Sequence, residues 1–291
     1  EIAKVLPRNM RSQKLLNDVI ENAITIAKRY GESVKDVAGS MTILFQQGLS
    51  VEEVMKRTDA AVQLATISTL NLSQAIEIQT SFLKTYGDAL RTAKTLNDAL
   101  LGVESKHAIT AKTLAEAFFG TASVAEEMGV SFENLLGMIT AIGVRTRDAG
   151  SKIGTALRFI LPRIVSEQGS SVLAGVGVNV FGVDERGYIR SRRMDDILRD
   201  LTIRWKDLTK TQREYVAMMV AGRRRMNSFI TMMNAMADEG IPAAIDALTS
   251  VGQAMDATSV ITSRLHKRIG MLKAEWTDFA NTVGTTLAKP I

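Results

Sequence analysis

Apolar residues recur at intervals of three and four along most of this 291-residue chain, and that spacing is the feature that most limits its fold. Between Gln13 and Tyr30 they would cover one face of a helix, which Gly31 would end. The residues on that face are Leu15, Leu16, Val19, Ile20, Ala23, Ile24 and Ala27. Aromatic residues make up only 5% of the chain and prolines number four, whereas methionines number fourteen. This mixture suits helices filled by flexible aliphatic side chains, so we predict a mainly α protein.

Capping residues predict where the next helices begin. Ser33 is placed to cap one helix, because its hydroxyl can accept a hydrogen bond from a free backbone N–H of the first turn. Ser50 and Glu53 form a capping box ahead of another helix. A later polar turn ends at Thr110 or Thr113, and Thr113 and Glu116 have the capping-box spacing. Short helices joined by tight turns are therefore expected from residue 13 to about residue 164.

The chain also contains an internal repeat with an offset of 81 residues. The segment GSMTILFQQGLSVEEVM at 39–55 aligns with GTASVAEEMGVSFENLL at 120–136, and the alignment continues without a gap into the next helix. Each copy predicts a helix, a glycine-apolar-serine turn whose serine caps the following helix, and a further helix with small residues on its packing face. The residues expected to form these turns and close helix contacts are Gly39, Gly48, Ser50, Gly129, Ser131, Gly150, Gly154 and Ala156.

The second copy of the repeat contains GSKIGTALRFILPRIV at 150–165, which allows two interpretations. A phosphate-binding loop would need a glycine-rich turn that ends in Gly-Lys-Ser or Gly-Lys-Thr after a buried strand. Here Lys152 precedes Gly154, and no strand pattern comes before it. The segment is therefore predicted to be a helix that packs closely on a neighbour, with Pro162 kinking or ending it.

The spacing of apolar residues changes from helical to alternating only near residue 176. Val176, Val178 and Val180 alternate with other residues, and DERG separates them from the apolar pair in YIR, which predicts a small exposed β-hairpin. A dinucleotide-binding loop is the alternative for the glycines here, but their spacing is wrong and no helix follows directly.

The last segment has the most regular pattern, near the 3.5-residue period of a coiled coil. Its helix either packs back on its own domain or pairs with copies of itself, and both alternatives stay open. The oligomer interface expected in the second case consists of Ile261, Leu265, Ile269, Leu272, Trp276, Phe279 and Val283.

The predicted fold is a mainly α multi-helix bundle with an internal helical repeat, one small β-hairpin and a C-terminal coiled-coil-like helix. It divides the chain into an N-terminal helix or linker at 1–30, a duplicated helical region at 31–168, a hairpin insertion at 169–192, a helical region at 193–258 and a C-terminal amphipathic helix at 259–291.

The sequence contains no recognisable motif for a catalytic or metal site. The chain has no cysteine and only two histidines, His107 and His266, and it lacks the short sequence motifs of hydrolases, zinc sites and calcium loops. The adjacent carboxylates in Glu126–Glu127 and Asp195–Asp196 would point about 100° apart on a helix, so solvated faces are predicted for them. We predict no catalytic residue, no cofactor and no metal site. The uncharged stretches 60–76 and 168–183 are too short and too polar to span a membrane.

One basic cluster occurs in a further helical stretch, expected from Thr211 to Met236. Arg223, Arg224 and Arg225 precede a stripe of methionines and Phe229 at helical spacing. Nucleic-acid binding would need a second basic cluster or interleaved aromatic residues, which the sequence does not show. A solvated helix start followed by a buried methionine stripe is the preferred interpretation.

The order of these elements resembles the core region of the tape-measure proteins of long-tailed bacteriophages. The resemblance rests on AKTLAEAFFGTASVAEEMGVSFENLLGMITAIGVRTRDAGSKIGTALRFILPRI, then GVNVFGVDERGYIR, MDDILRDLTIRWKDLT and RMNSFITMM. The pattern at 264–276, Arg-Leu followed by Gly, Lys and Trp, is similar to the segment that closes that region. The arginine run at 223–225 departs from the family pattern.

The resemblance implies a structural virion protein without enzymatic activity. Such a protein sets tail length, scaffolds tail-tube assembly and takes part in DNA delivery. Its expected partners are copies of itself as a trimer or hexamer, tail-tube and tail-tip or baseplate proteins, tail assembly chaperones and, transiently, membrane or DNA. It is expected inside the phage tail, and in the host cytoplasm during assembly, as part of a longer polypeptide. The alternatives are a membrane-active helical domain that assists DNA entry and an unrecognised hydrolase.

Overall fold

The computed structural model describes residues 13–87, 92–239, 252 and 254–264, and it confirms a mainly α fold. Contacts divide the chain into two units. The described residues of the first unit are 13–67 and 254–264, and those of the second lie between 68 and 252. The five-segment division drawn from the sequence stays a prediction, because the two units group the chain by contact and not by sequence pattern.

The first unit contains the two helices predicted before Gly48 and most of the third. They are α1 (Gln13–Tyr30), α2 (Val34–Gln46) and α3 (Val51–Ser68), and residues 254–264 are also helical. The side chain of Ser33 caps α2 by accepting a hydrogen bond from Asp36 N, as predicted. Helix α1 packs against α2 through buried aliphatic side chains, among them Val19, Ala23, Val37 and Met41.

A polar contact joins the end of α1 to α3. The Asp59 carboxylate accepts hydrogen bonds from the Tyr30 hydroxyl at 3.1 Å and from Arg29 at 2.8 Å. Burial raises the pKa of Tyr30 to about 12, and the negative charge of Asp59 adds to this effect. The folded state therefore favours the neutral phenol.

This pKa predicts a loss of stability in strong alkali. Because the folded pKa lies above the unfolded value of about 10, the contribution of Tyr30 is fully present below pH 10 and is lost as the pH rises toward 12. The tyrosinate absorbance of the wild type minus that of Tyr30→Phe should show a midpoint near pH 12. A midpoint near pH 10 would contradict the buried contact.

The second unit contains the remaining helices and the hairpin. Its elements are α4 (Leu72–Thr85), α5 (Ala93–Lys106), α6 (Ala111–Phe119), α7 (Ala122–Glu127), α8 (Phe132–Thr146), α9 (Gly150–Ile164), α10 (Glu167–Gly175), β1 (Phe181–Val183), β2 (Ile189–Ser191), α11 (Met194–Trp205), α12 (Lys210–Ala221) and α13 (Met226–Glu239). Helix α9 is central, because it packs against α6, α7, α8, α10, α12 and α13. Pro162 lies in its last turn, where the sequence places the end of the helix.

A cluster of aromatic side chains fills the core where α4, α6 and α8 meet. Phe82, Phe118 and Phe132 are fully buried, with ring centroids 4.9–6.0 Å apart. Tyr86 completes the cluster, and its hydroxyl donates a hydrogen bond to Val130 O at 3.1 Å. Aromatic residues are few in this chain, so this cluster concentrates apolar area where three helices converge.

The repeat is visible as two turns of the same conformation. Gly48 and Gly129 both have a left-handed backbone, with φ of +79° and +75°. Ser50 and Ser131 follow at the same distance, and the hydroxyl of each accepts a hydrogen bond from the backbone N–H three residues on. The left-handed conformation explains why glycine stands at this position in each copy.

The β-hairpin is present but shorter than the sequence indicates. Helix α10 continues to Gly175, and the strands begin only at Phe181. Val178 and Val180 are buried in the segment before β1, so their alternation reflects burial of an irregular segment and not a strand. The turn at Asp184–Gly187 lies where DERG predicts it.

Two other local predictions were wrong. Thr110, not Thr113, caps α6, and Thr113 N donates to the Thr110 hydroxyl. The helix expected from 211 to 236 is broken at Gly222, whose φ of +71° no helix accommodates. The methionine stripe beyond this break is buried as predicted, with Phe229, Met232 and Met233 inaccessible to solvent.

The C-terminal interface lies mostly outside the described residues. Ile261 belongs to the helical residues 254–264 and is 36% exposed, and its neighbour Val260 is 47% exposed. The other six predicted positions lie outside: Leu265, Ile269, Leu272, Trp276, Phe279 and Val283.

Candidate helix-packing site

The small residues of α9 lie against α6. A Cβ atom added to Gly154 would lie 2.6 Å from the carbonyl oxygen of Ala117 and 3.2 Å from its Cα. A Cβ added to Gly150 would overlap the carbonyl oxygen of Thr113, one turn earlier on α6. Backbone atoms cannot rotate away as a flexible side chain can, so these two positions admit only glycine at the present helix separation. Ala156, on the same helix, is 5% exposed.

A buried hydroxyl joins the same two helices. Thr121 follows α6 and is 1% exposed, and its Oγ1 lies 2.9 Å from Gly154 O and 3.1 Å from Ala117 O. This hydroxyl therefore bonds across the contact that the two glycines make possible. We define Gly150, Gly154, Ala117 and Thr121 as the α6–α9 junction.

The other predicted packing residues have different surroundings. A Cβ at Gly39 would meet no atom within 4 Å among the described residues, so Gly39 does not allow a close approach there. The same holds for Gly48, where the left-handed backbone is the constraint. Ser50 acts as a local cap of α3. The structure thus brings Gly150 and Gly154 together at α6, while Gly39, Gly48 and Ser50 belong to the first unit.

The second copy of the turn binds the start of α11. Met194 N donates to Met128 O at 2.9 Å, and Ser131 N donates to Asp195 Oδ2 at 3.0 Å. A Cβ at Gly129 would lie 3.3 Å from the Cβ of Arg193. Glycine at position 129 therefore allows both the left-handed turn and the close approach of α11. A cavity of about 590 Å³ lies beside this contact, and its lining includes Asn134, Met138 and Ile203.

The role of Asp195 is one that the sequence analysis missed. Solvated faces were predicted for Asp195 and Asp196, but Asp195 is half-buried and accepts the hydrogen bond from Ser131 N across 64 positions of sequence. Glu126 and Glu127 are exposed as predicted. Asp195 had no distinguishing local signal, because its partner is distant in the chain.

Replacing Asp195 with alanine is expected to lower the free energy of unfolding by about 1–2 kcal/mol, because Ser131 N then loses a charged acceptor in a half-buried position. Asp196→Ala is the matched control. Asp196 bonds to Arg199 on a partly exposed surface, and its removal should cost at most about 0.5 kcal/mol. Urea denaturation of both variants measures the difference, and equal losses would refute the capping role.

The arginine cluster lies in the turn between α12 and α13. Arg223 and Arg224 are exposed. The guanidinium of Arg225 instead lies 4.0 Å from the centroid of the Phe159 ring, on α9. This is the distance of a cation–π contact, so one of the three arginines helps to hold the α12–α13 turn against the central helix.

No group of three or more histidine, cysteine or acidic residues is placed to hold a metal ion in the described ranges. Among the helices that the structure describes, none is both long enough and apolar enough to cross a membrane.

These features define a class of protein: a mainly helical chain whose distinctive residues form packing contacts and turns. Comparison with known proteins gives the family. The model of the phage-related minor tail protein family matches residues 21–222, and this chain belongs to that family. The match includes both copies of the repeat, the α6–α9 junction and the hairpin.

One relative gives more detail. The tape measure protein of Pneumococcus phage Dp-1 is 24% identical to this chain over 216 residues, which cover 73% of this chain and 18% of that protein. The chain thus spans about a fifth of the length of the relative it matches. No solved structure matches this chain.

The comparisons confirm the resemblance to phage tail proteins that the sequence motifs indicated. The chain therefore belongs to a family of phage tail proteins, which supports a structural role in the tail.

Proposed function

We propose that this chain is a folded region of a tail tape-measure protein, which sets tail length, scaffolds assembly of the tail tube and takes part in DNA delivery. The observation that carries the proposal is the match to a phage tape measure protein over 73% of the chain. The order of helix, glycine-apolar-serine turn and close-packed helix supports it.

The fold suggests which part of such a protein measures tail length and which part contacts other proteins. A continuous helix gains 1.5 Å per residue, so extended helical sequence is an efficient ruler. In the second unit, α9 packs against six other helices, so that unit adds little length for its residue number. In the proposed protein, this region provides a surface for attachment, and the ruler lies in helical sequence elsewhere in the polypeptide.

The proposed partners follow from this location. They are other copies of the same chain, in a trimer or hexamer, tail-tube and tail-tip or baseplate proteins, and tail assembly chaperones that act in the host cytoplasm. Transient contact with DNA or membrane belongs to the delivery step. Exposed Val260 and Ile261, at the start of the predicted interface, support self-association through the C-terminal segment.

Tail length in the phage that encodes this chain tests the proposed function. Deleting 100 residues of predicted helix from the same polypeptide, outside residues 1–291, should shorten the tails by about 150 Å in electron micrographs. A variant in which the same 100 residues are replaced by unrelated helical sequence is the matched control and should restore the length. Unchanged tails in the deletion variant would refute the ruler function.

Light scattering of residues 1–291 tests the proposed self-association. We expect a trimer or hexamer that becomes a monomer when the chain is truncated before Val260, because the interface residues are then lost. A monomer in both forms would contradict the interface and would mean that the last helix folds back on its own domain.

A further inference from the structure

The β-hairpin exposes an apolar face. Phe181 lies opposite Ser191 and Val183 lies opposite Ile189 in the antiparallel register. Because side chains alternate between the two faces of a strand, Phe181, Val183 and Ile189 share one face of the ribbon. Phe181 is 46% exposed, Val183 72% and Ile189 77%. Large apolar side chains with this exposure at one place are typical of an interaction site.

The hydrogen bonds of the ribbon leave its outer edge free. Arg192 N donates to Val180 O and Asp184 N donates to Tyr188 O, so the pairs that exchange hydrogen bonds alternate with the pairs that do not. Phe181 and Val183 belong to pairs that do not, and their backbone N–H and C=O groups therefore point away from β2. These groups have no hydrogen-bond partner within the described part of the chain.

The turn of the hairpin is held in one conformation by Asp184. Its Oδ1 accepts hydrogen bonds from Arg186 N and Tyr188 N, both at 2.9 Å, and its Oδ2 accepts one from Arg190 at 2.6 Å. The hydrogen bond from Tyr188 N contributes most to a pKa of Asp184 below its usual range. The edge of β1 is therefore presented by a preorganised ribbon, which reduces the entropy lost on binding.

The charge around this edge is basic. Residues 179–193 contain four arginines and two carboxylates. Arg190 pairs with Asp184, and Arg192 pairs with Asp200. The guanidinium of Arg186, at the tip, has no partner among the described residues and is exposed.

We propose that the edge of β1 binds an extended acidic strand of another protein by β-strand addition. The free N–H and C=O groups select an extended backbone, the apolar face selects alternating apolar side chains, and Arg186 selects a carboxylate. A second copy of this chain is a poorer occupant, because it brings the same four arginines and a net charge of +5.

A peptide titration of the ¹⁵N-labelled full chain tests the proposal. The probe is the acetylated peptide EVTVEVTVE, added to millimolar concentration. The backbone amide signals of Phe181 and Val183 should move to lower field as they form hydrogen bonds. The peptide KVTVKVTVK should bind at least tenfold more weakly, and a fully N-methylated EVTVEVTVE should not shift these signals.

Two variants of one residue complete the test. Val183→Pro removes an outward N–H without breaking a hydrogen bond of the ribbon and should weaken binding at least tenfold, whereas Val183→Thr keeps the N–H and should bind within about threefold. The other amide signals of each variant report that the fold is retained.

Four outcomes would overturn the proposal. They are equal binding of the N-methylated peptide, equal binding by Val183→Pro, a dimer of the free chain that depends on Val183, and shifts of the same signals at lower concentration by a 20-nucleotide oligothymidylate. The last two would identify a second copy or a nucleic acid as the occupant.

Discussion

Replacing Gly154 with valine should lower the free energy of unfolding by about 3 kcal/mol, at the upper end of what overpacking costs. The reason is geometric: the new Cβ would lie 2.6 Å from Ala117 O, and both atoms belong to or adjoin helical backbone. Relief requires α6 and α9 to separate, which would also stretch the 2.9 Å hydrogen bond from Thr121 Oγ1 to Gly154 O. Because α9 contacts most helices of the second unit, the strain would spread through that unit.

Gly39→Val is the matched control for this variant. Gly39 also lies inside a helix, but a Cβ there would meet nothing within 4 Å among the described residues. Its effect should stay within about 0.5 kcal/mol, since valine is no worse a helix former than glycine. Urea denaturation followed by circular dichroism compares the two variants. Equal effects would mean that the α6–α9 junction is not tightly packed.

Trp205→Ala should have a still larger effect, a loss of about 3–5 kcal/mol, which is usual for removing a buried aromatic side chain. Trp205 is fully buried at the end of α11 and packs edge-to-face on Phe229, with ring centroids 5.8 Å apart. Its Nε1 donates to Asn234 Oδ1 at 2.8 Å. Alanine would leave both a cavity and an amide oxygen without its donor.

Trp205→Phe separates these two contributions. Phenylalanine keeps most of the contact with Phe229 and removes the hydrogen bond to Asn234, so the expected loss is about 1–2 kcal/mol. Denaturation midpoints followed by circular dichroism serve for both variants. If alanine costs no more than phenylalanine, Trp205 does not fill the space between α11 and α13 that the structure assigns to it.

Much of the helical architecture could be predicted because its signals are local. The glycine stop of α1, the Ser33 cap and the paired turns at Gly48 and Gly129 depend on residues within one or two helical turns. The apolar face of α1 was predicted less well, because Ile20 on that face is 43% exposed. The small residues of α9 were also recognisable, because a helix with glycines spaced four apart has few other reasons for them.

The features that could not be predicted depend on contacts between residues that are far apart in the sequence. Asp195 differs from Asp196 only because it meets Ser131 N in the folded chain. The partner of Gly154 could not be identified as Ala117 from spacing alone. Thr110 and Thr113 both offered a capping hydroxyl, and packing of Ala111 and Leu114 into the core accompanies the earlier start.

The same limit applies to the α12–α13 break and to the hairpin. Gly222 interrupts an apolar pattern that continues on both sides, and Arg225 then lies on Phe159 of α9, a contact that only the fold creates. In the hairpin, the alternating valines pointed to a strand, but Val178 and Val180 are buried in an irregular segment and the side chains of the true strands are mostly exposed.

Quantitative mass spectrometry of purified virions tests the central claim most directly. If this chain is a folded region of a tail tape-measure protein, peptides from residues 13–239 should be present in purified tails at three to six copies per tail, in constant ratio to peptides from the rest of the same polypeptide. Their absence from purified tails, with the chain present in the infected-cell lysate, would contradict a structural role in the phage tail.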